Sequence, residues 1–164
     1  MTPSRAGPRI REAAPEDLAA LPAVEAAADR LLEAELGHRV LPELPATGVP
    51  LFILVAGNPP VGFARVDEVG GQPHLEQLSV HPDAAGRGLG RSLVEAAIGA
   101  ARDRGYQSMT LRTFAGIPFN APFYASCGFE EPAEPGPALA AVRSHEAELG
   151  LDALGRRLAM RIRL

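Results

Sequence analysis

The stretch from Leu78 to Val94 leaves this chain few folds to choose from. Apolar residues alternate up to Val80, Pro82 and Asp83 break the strand, and Gly86, Gly88 and Gly90 lead into a helix whose apolar period begins near Leu89. Strand, turn and helix in direct succession place several unpaired backbone N–H groups around one small volume. The positive end of the helix dipole points at the same spot. Such a place binds anions, and phosphate is its commonest occupant. Glycine permits positive φ there and keeps Cβ atoms clear of a bulky pyrophosphate. Arg87 and Arg91 add positive charge beside it. The turn alone is weak evidence, because the same glycines also serve close helix–strand packing.

The rest of the chain supplies the context. Arg9 to Ala13 reads as a short strand, and Pro15, Glu16 and Asp17 open a helix. Leu18, Leu21, Val24 and Ala28 form its apolar face, Leu31, Leu32 and Leu36 continue it to Gly37, and Pro22 separates two helical pieces. His38 to Pro50 has no period and reads as a loop. Leu51–Ala56, Val61–Asp67 and Leu75–Val80 form an antiparallel meander. A helix from Leu89 to about Arg104 then separates Leu75–Val80 from a strand at Ser108–Thr113, which must run parallel to it. A short helix near Asn120–Cys127, a strand starting at Phe129, a helix at Ala138–Leu149 and a closing strand at Arg157–Leu164 complete the order. The expected class is α+β, a twisted mixed sheet of about six to seven strands flanked by helices. Residues 1–8 read as a flexible tail and 9–164 as a single domain.

Composition narrows the partners. A formal net charge of −4 argues against non-specific nucleic-acid binding, and every basic residue is arginine. Without lysine, Schiff-base chemistry is excluded. A single cysteine, Cys127, excludes an internal disulfide and fits a reducing cytosol. Four scattered histidines and one cysteine make no metal site, and no apolar run is long enough for a membrane span. A cytoplasmic protein, able to form a homodimer, is the expectation. A nucleoside-triphosphate loop is rejected, since Ala85 and Arg91 stand where that motif needs glycine and lysine.

Val80-x-Pro-Asp followed by Gly-Arg-Gly-Leu-Gly-Arg-Ser-Leu, then Asn120-x-x-x-Tyr124-x-x-x-Gly128-Phe129, resembles the GNAT acyltransferase superfamily over about residues 9 to 131. Gly88 and Gly90 match its pyrophosphate loop, while Ala85 stands where Arg or Gln is usual. The resemblance implies acetyl-CoA as co-substrate, no metal, and an amine of a small molecule or peptide as acceptor. It implies that Gly86, Arg87, Gly88, Leu89, Gly90 and Arg91 hold the pyrophosphate. It further implies that the strand before the loop splays from its parallel neighbour, so that Leu78, Ser79 and Val80 pair with the pantetheine arm. A CoA-binding sensor with little turnover is the rival reading.

Transfer of an acetyl group from a thioester to an amine needs an acid for the leaving thiolate and a base for the amine. Tyr124, at the tyrosine of the Tyr-x-x-x-Gly-Phe element, is the expected acid, because a phenol is protonated at neutral pH. Asn120 either bonds cofactor amides or caps the short helix. Glu76, on the strand entering the loop, is the expected base, unless it is a half-exposed strand residue. Under strict alternation it shares a face with Leu78 and Val80, and a bulge would break that. His74 and His81 are weaker candidates, and Cys127 lacks a histidine partner. Phe114, Ile117, Pro118 and Phe119, with Arg112 nearby, are expected at the acceptor wall.

Overall fold

The computed structural model describes residues 7–42 and 48–164, so most of the expected tail and part of the 38–50 loop lie outside the described residues. Six strands form one sheet in chain order: β1 (Ile10–Glu12), β2 (Val49–Ala56), β3 (Gly62–Val69), β4 (Gln72–Val80), β5 (Ser108–Phe114) and β6 (Arg157–Arg163). All neighbours are antiparallel except β4 and β5. The helices are α1 (Leu21–Glu35), α2 (Leu89–Asp103), α3 (Ala121–Ser126) and α4 (Pro137–Glu148). The mixed α+β expectation holds.

Alternation sorts the strands onto two faces. Phe52, Leu54 and Ala56 of β2, Ala64 and Val66 of β3, and Met109 and Leu111 of β5 pack with Leu89, Leu93, Val94, Ala97, Ile98 and Ala101 of α2. Gly62 lets α2 come close, since a Cβ there would lie 3.2 Å from Leu93 Cδ1 and 3.2 Å from the Ser79 carbonyl oxygen. On the other face Leu21 and Val24 of α1 cover Val55 and Phe63. The α1 side therefore carries a smaller apolar patch, and polar groups occupy much of what remains.

Two expectations fail for reasons of local geometry. The two helical pieces expected around Pro22 are present, with Pro22 in the first turn of α1, but the first piece, Pro15–Ala20, winds as a 3-10 turn and Leu18 does not join the apolar face. At three residues per turn, Asp17 is turned in and Leu18 out. The Asp17 carboxylate accepts from Arg11 Nη2 at 3.0 Å and from the Ala14 N–H at 2.7 Å, and these bonds draw it down to about 2. Leu31 is exposed as well. The strand expected from Phe129 shrinks to one bridge, Glu130 with Arg161. Pro132, Pro135 and Pro137 lack the N–H donors to extend it.

Candidate functional site

Gly88 caps α2 in the left-handed conformation at φ 75°, and Gly86 lies at φ 78°. A Cβ at either would meet no atom within 4 Å, so backbone conformation rather than crowding selects glycine. Gly90 differs: it is helical, and a Cβ there would make ordinary contacts with Phe123 at 3.7 Å and Val80 at 3.9 Å. Among the described residues, no backbone amide from Gly86 to Arg91 donates a hydrogen bond, and the Ser92 N–H is the next to do so, to the Gly88 carbonyl at 3.1 Å. A row of unpaired donors at the head of a 15-residue helix is an anion cradle. Leu89 lends it an amide while burying its side chain, and Arg87 stands exposed beside it. Arg91 is engaged elsewhere. Its Nη1 and Nη2 donate to the Ser126 carbonyl at 3.2 Å and hydroxyl at 2.7 Å, tying α2 to α3.

The cradle opens beside a break in the sheet. β4 pairs with β3 along its length, but with β5 only at His74–Thr110. Beyond that pair the β4 edge through Leu78, Ser79 and Val80 has no ladder partner on its β5 side among the described residues. Leu78 and Val80 point to the α2 core, and the buried Ser79 hydroxyl accepts from Gln77 Nε2 at 2.8 Å. The implied splay is present.

Glu76 falls on a bulge. Val66 pairs with Leu75 and Arg65 with Gln77, leaving Glu76 as the extra residue. Leu75 and Leu78 consequently both face the α2 core, so Glu76 does not share the face of Leu78 and Val80. Its Oε2 lies 3.8 Å from His74 Nε2. The buried His74 bonds Thr110 Oγ1 through Nδ1 at 2.8 Å. Burial pushes its pKa down to about 4, against the opposing pull of Asp67 and Glu146.

That shift has a testable consequence. The unfolded chain, with an ordinary histidine, binds more protons between pH 6.5 and 4 than the folded one. Stability from neutral His74 is complete above pH 6.5 and is lost as pH falls towards 4, by about 3 kcal/mol. Asp29 opposes this slope, because burial, reinforced by Glu25 and Glu33, lifts it to about 6. Urea midpoints measured from pH 7.5 to 4.5 should therefore fall less steeply for His74→Gln than for the parent. Parallel curves would remove the shift.

A cavity of about 840 Å³ lies between α1 and the split in the sheet. Glu76, Leu78, Tyr124, Arg112 and Phe114 line it. Tyr124 packs edge-on against Phe123 at 5.2 Å and Phe129 at 6.0 Å between ring centroids. Its hydroxyl makes no hydrogen bond among the described residues, and desolvation, with Cys127 beside it, raises its pKa. The phenol is neutral at any working pH. Asn120 neither caps α3 nor faces away: its Oδ1 accepts from Thr113 Oγ1 at 2.8 Å and the Phe114 N–H at 3.4 Å, pinning α3 to the end of β5. His81 accepts from the Asp83 N–H at 3.1 Å, which makes it a turn residue. Burial pushes the Cys127 thiol up, which counts against a nucleophilic role. Of the expected wall, Phe114 and Arg112 line the cavity, Ile117 packs behind Phe114, and Phe119 is exposed.

Two groups in the cavity escaped the sequence reading, apart from Arg112, which was expected near the acceptor wall. Glu25, Asp29 and Glu33 line it from α1 at four-residue spacing, a pattern that only one helix face produces. Arg112 of β5 and Arg157 of β6 also line it, and both bind Glu146 of α4. No local spacing marks that second group.

The family model described as Acetyltransferase (GNAT) domain matches residues 48–131, which holds the bulged strand, the cradle, α2 and the Tyr124 helix. Among solved structures, the PaiA N-acetyltransferase of Thermoplasma acidophilum in complex with coenzyme A superposes with a TM-score of 0.66 at 15% identity, covering 97% of this chain and 100% of that one. N-acetylglutamate synthase of Neisseria gonorrhoeae, complexed with coenzyme A and N-acetyl-glutamate, gives a TM-score of 0.66 at 19% identity, over 98% of this chain and 36% of that one. The GNAT family N-acetyltransferase YhbS of Escherichia coli, in complex with CoA, gives 0.60 at 22% identity, over 99% and 84%. At these identities the likeness is one of fold. The family match adds what fold alone does not, and the chain belongs to the GNAT family of N-acetyltransferases.

Proposed function

We propose that the protein transfers an acetyl group from acetyl-CoA directly to the primary amine of a small molecule or peptide. The row of unpaired amides from Gly86 to Arg91, opening onto an unpaired β4 edge, carries this reading. The cradle suits the pyrophosphate, and Leu78, Ser79 and Val80 offer backbone groups to the amides of the pantetheine arm. Asn120 keeps its Nδ2 donor for the same arm, since only Oδ1 is engaged among the described residues. Three of the fold relatives' names carry CoA, in agreement with this cradle. Tyr124 is the proton donor to the thiolate, and Glu76 takes the proton of the amine. The α1 carboxylates give the cavity a field that draws ammonium groups towards it. No cluster of metal-binding side chains occurs among the described residues, and none of these roles calls for one.

An acetyl-CoA consumption screen over amino acids, polyamines, arylamines, aminoglycosides and peptides tests the reading. Saturable CoA binding without consumption against any amine would favour a binding module instead. A point substitution tests the cradle itself. Gly88→Glu forces a side chain into a left-handed position and adds negative charge facing phosphate. The structure leaves room for the new Cβ, so the damage comes from strain and charge rather than from a clash within the protein. CoA affinity by calorimetry should fall about tenfold or more. An unchanged Kd would move the pyrophosphate elsewhere.

A further inference from the structure

The Arg112–Glu146–Arg157 group is a buried ion cluster with unequal charges. Arg112 Nε donates to Glu146 Oε1 at 3.0 Å, Arg157 Nε to the same oxygen at 3.1 Å, and Arg157 Nη2 to Oε2 at 2.9 Å. The side chains of Arg112, Glu146 and Arg157 are only 6%, 9% and 11% exposed. Two guanidinium groups share one carboxylate, so the cluster itself carries a net positive charge at the cavity wall. Charges with little access to water are ordinarily matched one for one. Among the described residues, both Nη groups of Arg112 and Nη1 of Arg157 make no hydrogen bond. Arg157 Cζ lies over the Phe114 ring, 4.6 Å from its centroid. Both arginines line the acceptor cavity.

We infer that this cluster is the docking point for a carboxylate on the acceptor, which makes the acceptor a small amino acid-like zwitterion rather than a simple amine. The inference rests on the reading of the cavity as the acceptor site. The Nη groups of Arg112 present paired donors in the fork geometry that matches a carboxylate, and the ligand supplies the missing negative charge. Glu146 holds Arg112 and Arg157 in place, so that no guanidinium need reorient when the ligand arrives. The opposite wall, Glu25 and Asp29 of α1, carries the other sign. A molecule bearing both charges fits that polarity, whereas a polyamine would set a cation against the arginines.

The experiment compares matched acceptors: free amino acids, their carboxamides, and the amines left by decarboxylation. Free amino acids should be preferred by about 10²-fold or more in kcat/KM, because their analogues offer the arginine donors no carboxylate. Arg112→Gln should erase most of that preference while keeping acetyl-CoA affinity, and Arg112→Lys, which keeps charge but not the fork, should fall between. Retained acetyl-CoA affinity and an unchanged melting temperature show that the variants are folded. If the parent acetylates simple amines as well as amino acids, or the preference survives Arg112→Gln, the inference is wrong while the acetyltransferase reading stands. Turnover of no acceptor in any set overturns both. Both arginines also border a smaller hollow of about 520 Å³ beside Pro132 and Pro135. An anion held there would leave the preference among acceptors flat, which counts against the inference.

Discussion

Tyr124→Phe is expected to lower kcat by about 10²- to 10⁴-fold while leaving the KM for acetyl-CoA within a few-fold of the parent. The substitution removes one oxygen and nothing else that the fold uses. The ring packs against Phe123 and Phe129, and phenylalanine keeps both contacts. Because the hydroxyl bonds no group among the described residues, its loss strands no partner. Burial raises its pKa, so it stays protonated throughout the working range. A thiolate leaving in the same desolvated cavity becomes more basic too, which restores the driving force for taking that proton. Single-turnover measurements with the best acceptor, where chemistry limits the rate, provide the check. An unchanged rate there would remove Tyr124 from the mechanism.

Glu76→Gln should cost about 10²-fold or more in kcat and flatten the acidic limb of the pH–rate profile. An amine is mostly ammonium at neutral pH, and the more basic it is, the more its attack depends on a group that takes the proton. The loss should therefore be largest for strongly basic acceptors. Glutamine keeps the size of the side chain and so the bulge. The bulge places the carboxylate at the cavity beside His74, which burial keeps neutral and therefore incapable of masking the charge of Glu76 above about pH 4. An acidic limb identical in the variant and the parent would pass the role to a water chain ending on another acceptor.

How legible each of these parts was depended on how local its cause is. The cradle and α2 follow from glycine spacing and a 3.6-residue apolar period within a single stretch, and the structure starts the helix at Leu89 as the period predicts. The face of Glu76 did not follow, because the bulge is set by how β4 pairs with β3 and nothing within β4 announces it. Leu18 was misplaced for a similar reason: its neighbour Asp17 is claimed by Arg11 and Ala14, and the 3-10 winding serves those bonds. Of the Arg112–Glu146–Arg157 cluster only Arg112 was expected near the acceptor wall; its two partners were hidden. The members of the cluster stand 34 and 11 residues apart and meet only once α4 and β6 fold back beside β5.

The origin of the cavity walls divides labour along the chain. The stretch matched by the family model, residues 48–131, contains the cradle, the split edge, Glu76, Arg112 and Tyr124. The acidic wall comes from α1 before it, and Glu146 and Arg157 come from α4 and β6 after it. On the proposed mechanism the middle of the chain settles which donor is used and how protons move, while the two ends choose most of what is modified. Selectivity is in that sense a peripheral, exchangeable trait. If the cavity is the acceptor site as proposed, replacing α1, or the segment from α4 to β6, with that of a relative is expected to redirect the enzyme to another amine while acetyl-CoA affinity is kept.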